Sequence, residues 1–251
     1  MSDKKLNFVL AKYKNEVRKI VQVGAHEGQE IPIFEKYNFE KIYLFEPNDT
    51  PFQILEKKVG DKSNYKIFKF ALGNKNSKEE MYYSTENQGQ SSSFLAPEVH
   101  KKVQPNIKFQ ERRIVEIKKF EDLNINNIDF LIMDVQGFEL EVLKGFGRKI
   151  NELEFIFTEV NRDYLYSNNV LIWDLDKYLN RLGFVRTWTS WRTADMPWGD
   201  AFYLKSSNIS KFKTKYFLLK NLLLTSSLFF YLYKLLDFRI YKKRLKNILK
   251  S

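Results

Sequence analysis

Four short segments of this 251-residue chain carry side chains whose types could do chemistry together. Val23-Gly24-Ala25-His26-Glu27-Gly28 places two glycines and a histidine in what reads as a turn. Glu46-Pro47 ends one apolar run, Asp134 ends a second, and Glu159 ends a third. Glycine lets backbone approach a ligand closely. A carboxylate only accepts hydrogen bonds, which suits the paired hydroxyls of a ribose. If the runs are neighbouring strands, their ends form one cleft built to recognise a nucleoside.

The usual phosphate cradles are missing. A G-x-G-x-x-G fingerprint would need glycine at position 22, where Gln22 stands, and no G-x-x-x-x-G-K-[ST] occurs. A glycine turn plus an acid at the second strand's end suits a nucleoside without phosphates. S-adenosylmethionine (SAM) is such a ligand, and its cationic sulfonium is favoured near carboxylates. Alone, the turn reads equally well as an ordinary strand-to-helix connection. Glu46-Pro47 at the right distance tips the balance towards a site.

Strands alternating with helices would position these residues. The chain opens with a lysine-rich helix over 1–19 and a buried strand Lys19–Gly24. A helix follows over 27–37, with Pro32 in or near its first turn. Lys41–Glu46 is the second strand. Asp49-Thr50-Pro51 starts a helix to about Val59, and Tyr65–Phe70 is the third strand, ending at Ala71-Leu72-Gly73. Residues 74–120 read as short strands and a polar loop, Asn87–Ser93. Strand Asp129–Asp134, a helix beginning at Leu140–Lys144, and strand Glu154–Glu159 come next. A helix over 171–182 stops at Gly183, and Phe184–Trp188 and Ala201–Leu204 close the sheet. Such alternation predicts a parallel sheet covered on both faces, with ligands beyond the strands' carboxyl ends.

Composition narrows the function classes. Hydrophobic residues make up 43% and charged residues 29%, which is globular. No cysteine means no disulfide scaffold, iron–sulfur cluster or thiol nucleophile. His26 and His100 are too few for a multi-histidine metal site. The net charge of +11 is unevenly placed. Residues 211–251 hold eleven Lys/Arg against Asp237, a net +10, leaving +1 for residues 1–210. A nucleic-acid enzyme would spread basic residues over its binding face, so no nucleic-acid partner is expected. The basic charge describes the tail's partner instead.

Several segments match a known family. Val21-Gln-Val-Gly-Ala-His-Glu-Gly28, Phe45-Glu-Pro47, Ala71-Leu-Gly73 and Asp129-Phe-Leu-Ile-Met-Asp-Val-Gln-Gly-Phe-Glu-Leu-Glu-Val-Leu-Lys-Gly145 resemble FkbM-type SAM-dependent O-methyltransferases over roughly residues 18–205. The most specific part resembles D-x-E-G-x-E followed by V-L-x-G, matched by Asp134, Gly137, Glu139, Val142, Leu143 and Gly145. The chain departs from that pattern at Gln136, where the family usually has an acid, and at Ile132, where it commonly has Lys. Any role needing a carboxylate at 136, such as a second metal ligand, is therefore in doubt.

The resemblance implies an α/β class I methyltransferase (Rossmann-like) fold with a mostly parallel seven-stranded sheet and one antiparallel strand, using SAM as cofactor. By motif position, Gly24, Ala25, His26 and Gly28 would line the methionine and sulfonium end. Glu46, beside Pro47, would hold the ribose, Ala71 and Leu72 would flank the adenine, and Asp134 would sit beside the methionine. Family acceptors imply methyl transfer to a sugar hydroxyl, in a nucleotide-activated sugar or a surface glycan. The alternatives are a small non-sugar metabolite, or a non-catalytic SAM-binding scaffold at a membrane.

A sugar hydroxyl is a weak nucleophile, so a base should take its proton. The candidates are Glu139, Asp134, Glu159 and His26. Glu139 is favoured because it lies just beyond the fourth strand's end, although a helix N-terminal carboxylate would look the same. Glu159 and Asn161 are expected to orient the acceptor. With Asp134 they form an oxygen set for a divalent cation only weakly, and no metal is expected. Trp188, Trp191, Trp198 and Asp200 cluster near the body's end, where Trp198 and Asp200 could bind a sugar. Ser92, in Ser91-Ser-Ser93, could donate from a mobile loop.

Two regions follow: a methyltransferase domain over 1–210 and a basic, apolar helical tail over 211–251. Tyr216–Leu236 is apolar but interrupted by Lys220, Asn221, Thr225-Ser-Ser227 and Lys234, and is better suited to an interface than to a span. Arg239, Lys242, Lys243, Arg244 and Lys246 follow, a cluster that attracts anionic lipid. Peripheral membrane attachment is the leading expectation, packing on the body or a second subunit is the alternative, and a true span is the third reading. No apolar signal core precedes the body, so the expected location is cytoplasmic, peripheral on the membrane face.

Overall fold

The computed structural model describes residues 2–192 and 196–225. Helix α1 (Asp3–Tyr13) leads into β1 (Lys19–Val23), the one-turn α2 (Ile31–Phe34), β2 (Lys41–Phe45), α3 (Asp49–Val59) and β3 (Tyr65–Phe68). Next come β4 (Ala71–Leu72), β5 (Ser77–Tyr83), α4 (His100–Val103), β6 (Glu111–Lys118), β7 (Phe130–Met133), α5 (Glu139–Gly145) and β8 (Phe155–Asn161). The order ends with α6 (Ile172–Arg181), β9 (Phe184–Trp191), β10 (Trp198–Lys205) and α7 (Lys211–Thr225).

Every residue of β7 and β8 is buried, because both faces of the sheet are covered. The seven-stranded sheet runs β3-β2-β1-β7-β8-β10-β9. Strands β3, β2, β1, β7 and β8 pair in parallel, and β10 is antiparallel to both β8 and β9. Alternate side chains feed two cores. Val21, Leu131, Met133, Ile156 and Tyr203 meet Val142, Leu143, Leu175 and Leu179 from α5 and α6. Ile20, Phe130, Ile132, Phe155 and Phe202 meet Leu6, Val9 and Leu10 from α1 on the other face. β1 and β7 are neighbours whose connections leave in opposite directions, so a crevice opens beyond their carboxyl ends.

The structure departs from the sequence expectations in places. The opening helix stops at Tyr13 rather than near 19. The helix expected over 27–37 shrinks to Ile31–Phe34, because Gly24, His26 and Gly28 all have positive φ and hold the chain in turns. The irregular stretch 74–120 contains a second sheet, β4-β6-β5, missed because each strand is short or half exposed. The stop at Gly183 is as expected, with φ +83°.

Helix α7 begins at Lys211 and docks against β9, where Asn221 Nδ2 donates to the Arg186 backbone oxygen at 2.8 Å. The rest of the apolar run to Leu236 and the basic cluster Arg239–Lys246 lie outside the described residues.

Candidate active site

A cavity of about 710 Å³ opens at the carboxyl ends of β1, β2, β7 and β8. The sequence-predicted residues Gly24, His26, Glu46, Pro47, Ala71, Leu72, Ser92, Asp134, Glu159 and Trp198 all line it. That follows from parallel strands ending together: Glu46 and Asp134 stand just past β2 and β7, and Glu159 stands in the last part of β8.

The glycine turn is built by backbone contact. Gly24, at φ +80°, sits so close to β7 that a Cβ would lie 2.1 Å from the Asp134 backbone oxygen. His26 follows with φ +47°, and its N–H donates to Glu46 Oε2 at 2.9 Å. Its ring is engaged at both nitrogens: Gln29 Nε2 lies 2.8 Å from Nδ1, and Nε2 lies 2.9 Å from the Gln88 backbone oxygen. With the amide donating to Nδ1, the Nε2–H donates to Gln88. His26, one of the four candidate bases, therefore ties the turn to the loop above it with both ring nitrogens engaged.

Glu46 is held from three sides. Besides His26, Asn48 N and Nδ2 donate to its Oε1 at 2.8 and 2.9 Å. Burial pushes its carboxyl up and the Asn48 donors pull it back, leaving it above the usual range. Each oxygen keeps acceptor capacity towards the cavity.

Asp134 and Glu159 face each other across an amide. Gln136 Nε2 donates to Asp134 Oδ1 at 2.7 Å and to Glu159 Oε2 at 3.3 Å. The buried Tyr166 hydroxyl lies 3.0 Å from Gln136 Oε1 and 2.9 Å from the Ser91 backbone oxygen and shares its one proton between these two acceptors. Burial first, then the Asp134 charge, push Glu159 well above the usual carboxylate range. Gln136 stands where the family usually has an acid, and its neutral amide separates the two carboxylates. No group of three or more His, Cys, Asp or Glu able to hold a metal ion occurs among the described residues.

Five expected residues do not line the cavity. Glu139 is fully buried, its Oε1 accepting the Gly137 N–H at 3.1 Å. The positive φ of Gln136 (+53°) and Gly137 (+96°) turns the chain so that Glu139 folds beneath the loop instead of facing the acceptor side. Ala25 is buried in the α1-side core. A Cβ on Gly28 would strike Ile31 and Leu55, so this glycine serves packing. Asp200 is buried and paired with Lys5 of α1 at 3.0 Å, and Asn161 is buried at the end of β8. The tryptophans also disperse. Trp188 stacks on Phe157, Trp191 lies under the Arg162 guanidinium, and only Trp198 reaches the cavity, with Arg192 and Met196.

The serine loop is tied to the body at three points. His26–Gln88, Tyr166–Ser91 and a 2.8 Å bond from Ser93 Oγ to the Gln136 backbone oxygen strap it over the cleft. Sequence reasoning missed Gln136 as a bridge, Tyr166 and Asn48. Asn48 carried a signal, two residues after Glu46 at a helix start. Tyr166 carried none, being 30 residues from its partner in an irregular segment.

The family pattern is now matched in three dimensions. The Methyltransferase FkbM domain matches residues 22–186. The chain belongs to the FkbM methyltransferase family. A crystal structure of Methyltransferase FkbM from Methylobacillus flagellatus KT shares the fold, with a TM-score of 0.50 and 18% identity over 79% of this chain and 52% of that one. The 2-O-methyltransferase NoeI of Sinorhizobium fredii is 22% identical over 161 residues, 60% of this chain and 66% of that protein. The chain thus spans just under two thirds of the length of this curated relative.

The cofactor of this FkbM family is SAM, and the cavity residues fit it. Asn48 Oδ1 is buried without a partner beside Glu46, so this corner lacks donors, which ribose hydroxyls or an adenine amine supply. Phe45, Pro47, Ala71, Leu72 and Phe138 give an apolar slot for a base. Asp134 and Glu159 supply negative charge for a sulfonium.

Proposed function

We propose that this FkbM-family protein is a SAM-dependent O-methyltransferase acting on a sugar hydroxyl, in a nucleotide-activated sugar or a glycan, with Glu159 as the base. The observation that carries this reading is the placement of Glu159. It lines the cavity on β8, the strand between β7, which leads into Asp134, and β10, which begins at Trp198. A tryptophan face suits a sugar ring, and similarity to a 2-O-methyltransferase supports oxygen as the acceptor atom.

SAM supplies a methyl group on a cationic sulfur that departs as a neutral thioether. The chain's residues do the rest. Glu46 and Asn48 fix the ribose end, the glycine turn and Asp134 fix the other end, and the strapped loop excludes water. Such positioning contributes up to about 7–11 kcal/mol in the best cases. A positive charge beside Asp134 and Glu159 relieves their repulsion and favours the ionised pair. Glu159 then accepts the hydroxyl proton as the oxygen gains the methyl group. Gln136, pinned by Tyr166, keeps the carboxylate aimed.

The test is Glu159→Gln, assayed with labelled SAM against nucleotide sugars and oligosaccharides. Turnover at saturating SAM should fall about 10²–10⁴-fold. Full turnover in the variant would remove Glu159 as base. SAM binding by wild type with no transfer to any saccharide, but transfer to a non-sugar hydroxyl, would remove the sugar.

A further inference from the structure

Helix α7 is anchored on one side and bare on the other. Thr214, Phe217 and Asn221, at i, i+3 and i+7, are its half-buried side, joined to β9 through Asn221. On the opposite side Phe212 is 82% exposed, Tyr216 55% and Leu219 57%, at i, i+4 and i+7. At 3.6 residues per turn, Lys213 and Lys220 border this stripe on one flank and Lys211 and Lys215 on the other. The helix contains no acid.

We propose that the outward face of α7 docks on an anionic lipid bilayer. Phe212, Tyr216 and Leu219 enter the boundary between headgroups and acyl chains, and the four lysines reach lipid phosphates. An apolar stripe flanked by lysines is the arrangement in which long cationic side chains extend to the headgroups while the stripe is buried. Charge selects the occupant. A second copy would set its own lysines against these, and residues 226–251 carry seven basic residues against one acid, so both are repelled. A negative lipid surface complements all of it. The helix lies along the surface, because its other side is held against β9.

The test is flotation of the full chain with vesicles of phosphatidylcholine alone or with one part in three phosphatidylglycerol. Wild type should float only with phosphatidylglycerol and be released by high salt. The triple variant Phe212→Ser, Tyr216→Ser, Leu219→Ser should partition at least about tenfold more weakly. Changing Lys211, Lys213, Lys215 and Lys220 to Gln should weaken it on the order of a hundredfold. Unchanged melting temperature and SAM affinity in both variants would show that the body is intact. No flotation of wild type, or flotation unaffected by either variant, would overturn the proposal. A wild-type dimer in sedimentation that the triple variant converts to monomer would assign the face to a second copy instead.

Discussion

Gly24 and Asp134 touch backbone to backbone: the glycine's α-carbon packs against the Asp134 carbonyl, where a Cβ would stand 2.1 Å from the oxygen. Asp134 N in turn donates to the Val23 oxygen at 3.1 Å. These contacts lock the ends of β1 and β7 together just before their loops diverge, and the divergence is the floor of the cavity. The Val-Gly-Ala-His turn and the Asp-Val-Gln-Gly turn are thus one structural unit.

Gly24→Ala should therefore damage both fold and site. The left-handed conformation alone costs an L side chain about 1–2 kcal/mol, and the clash with backbone adds to it. We expect a melting temperature lower by several degrees and SAM binding weakened at least about tenfold. Thermal denaturation and calorimetric titration measure the two effects.

Glu139 supplies a pH prediction. Burial drives its carboxyl from 4.5 up to about 7, against the pull of surrounding backbone N–H groups. The folded state therefore holds a proton that the unfolded chain releases. Its stabilising contribution is complete below pH 4.5 and is lost as pH rises to about 7. Glu139→Gln should flatten the stability profile across that window and be more stable than wild type at pH 8 by about 2 kcal/mol. Urea denaturation at pH 5 and 8 checks this. Because Glu139 does not line the cavity, turnover should stay within a few-fold of wild type.

Gln136→Glu would place a third carboxylate between Asp134 and Glu159. The amide's donation to both is lost and replaced by repulsion. We expect a variant less stable than wild type, with the deficit larger at pH 8 than at pH 5. Calcium or magnesium should raise the variant's melting temperature more than that of wild type, because three carboxylates suit a hard cation. Melting curves with and without either cation decide it.

The buried pair Asp176–Arg186 holds α6 to β9. Arg186 Nε and Nη2 donate to Asp176 Oδ1 and Oδ2 at 2.8 and 2.7 Å, and the Tyr203 hydroxyl adds a bond at 2.9 Å. Arg186→Met leaves Asp176 with an uncompensated charge in a buried position. A loss of about 3–5 kcal/mol is expected in denaturant unfolding. Well below the melting temperature, SAM affinity should survive, since neither residue lines the cavity.

Much of the site was legible because parallel strands announce themselves twice. The runs Lys19–Val23, Phe130–Met133 and Phe155–Asn161 are buried almost throughout; the first two are followed by Gly24 and Asp134 where the chain leaves the sheet, and the third carries Glu159 near its end. The link between Ala71-Leu72-Gly73 and Gly145 also has a spatial reason. A Cβ on Gly145 would lie within 1.9 Å of the Gly73 oxygen, so two distant motif glycines are one contact. What stayed hidden were pairings without periodicity: Gln136 with Tyr166, His26 with Gln88, and the small sheet β4-β6-β5.

The amino-acid sequence by itself determined the α/β alternation, the glycine turn, the acids at three strand ends and the family pattern, since these depend on local composition and spacing. Only the tertiary structure decided which carboxylate meets the acceptor. Glu139 and Glu159 look equally suitable in sequence, but two consecutive positive-φ residues bury the first under its own loop, while the straight run of β8 carries the second into the cavity. A side chain's direction follows from backbone dihedrals and from packing between segments far apart in the chain, and neither is written in residue type.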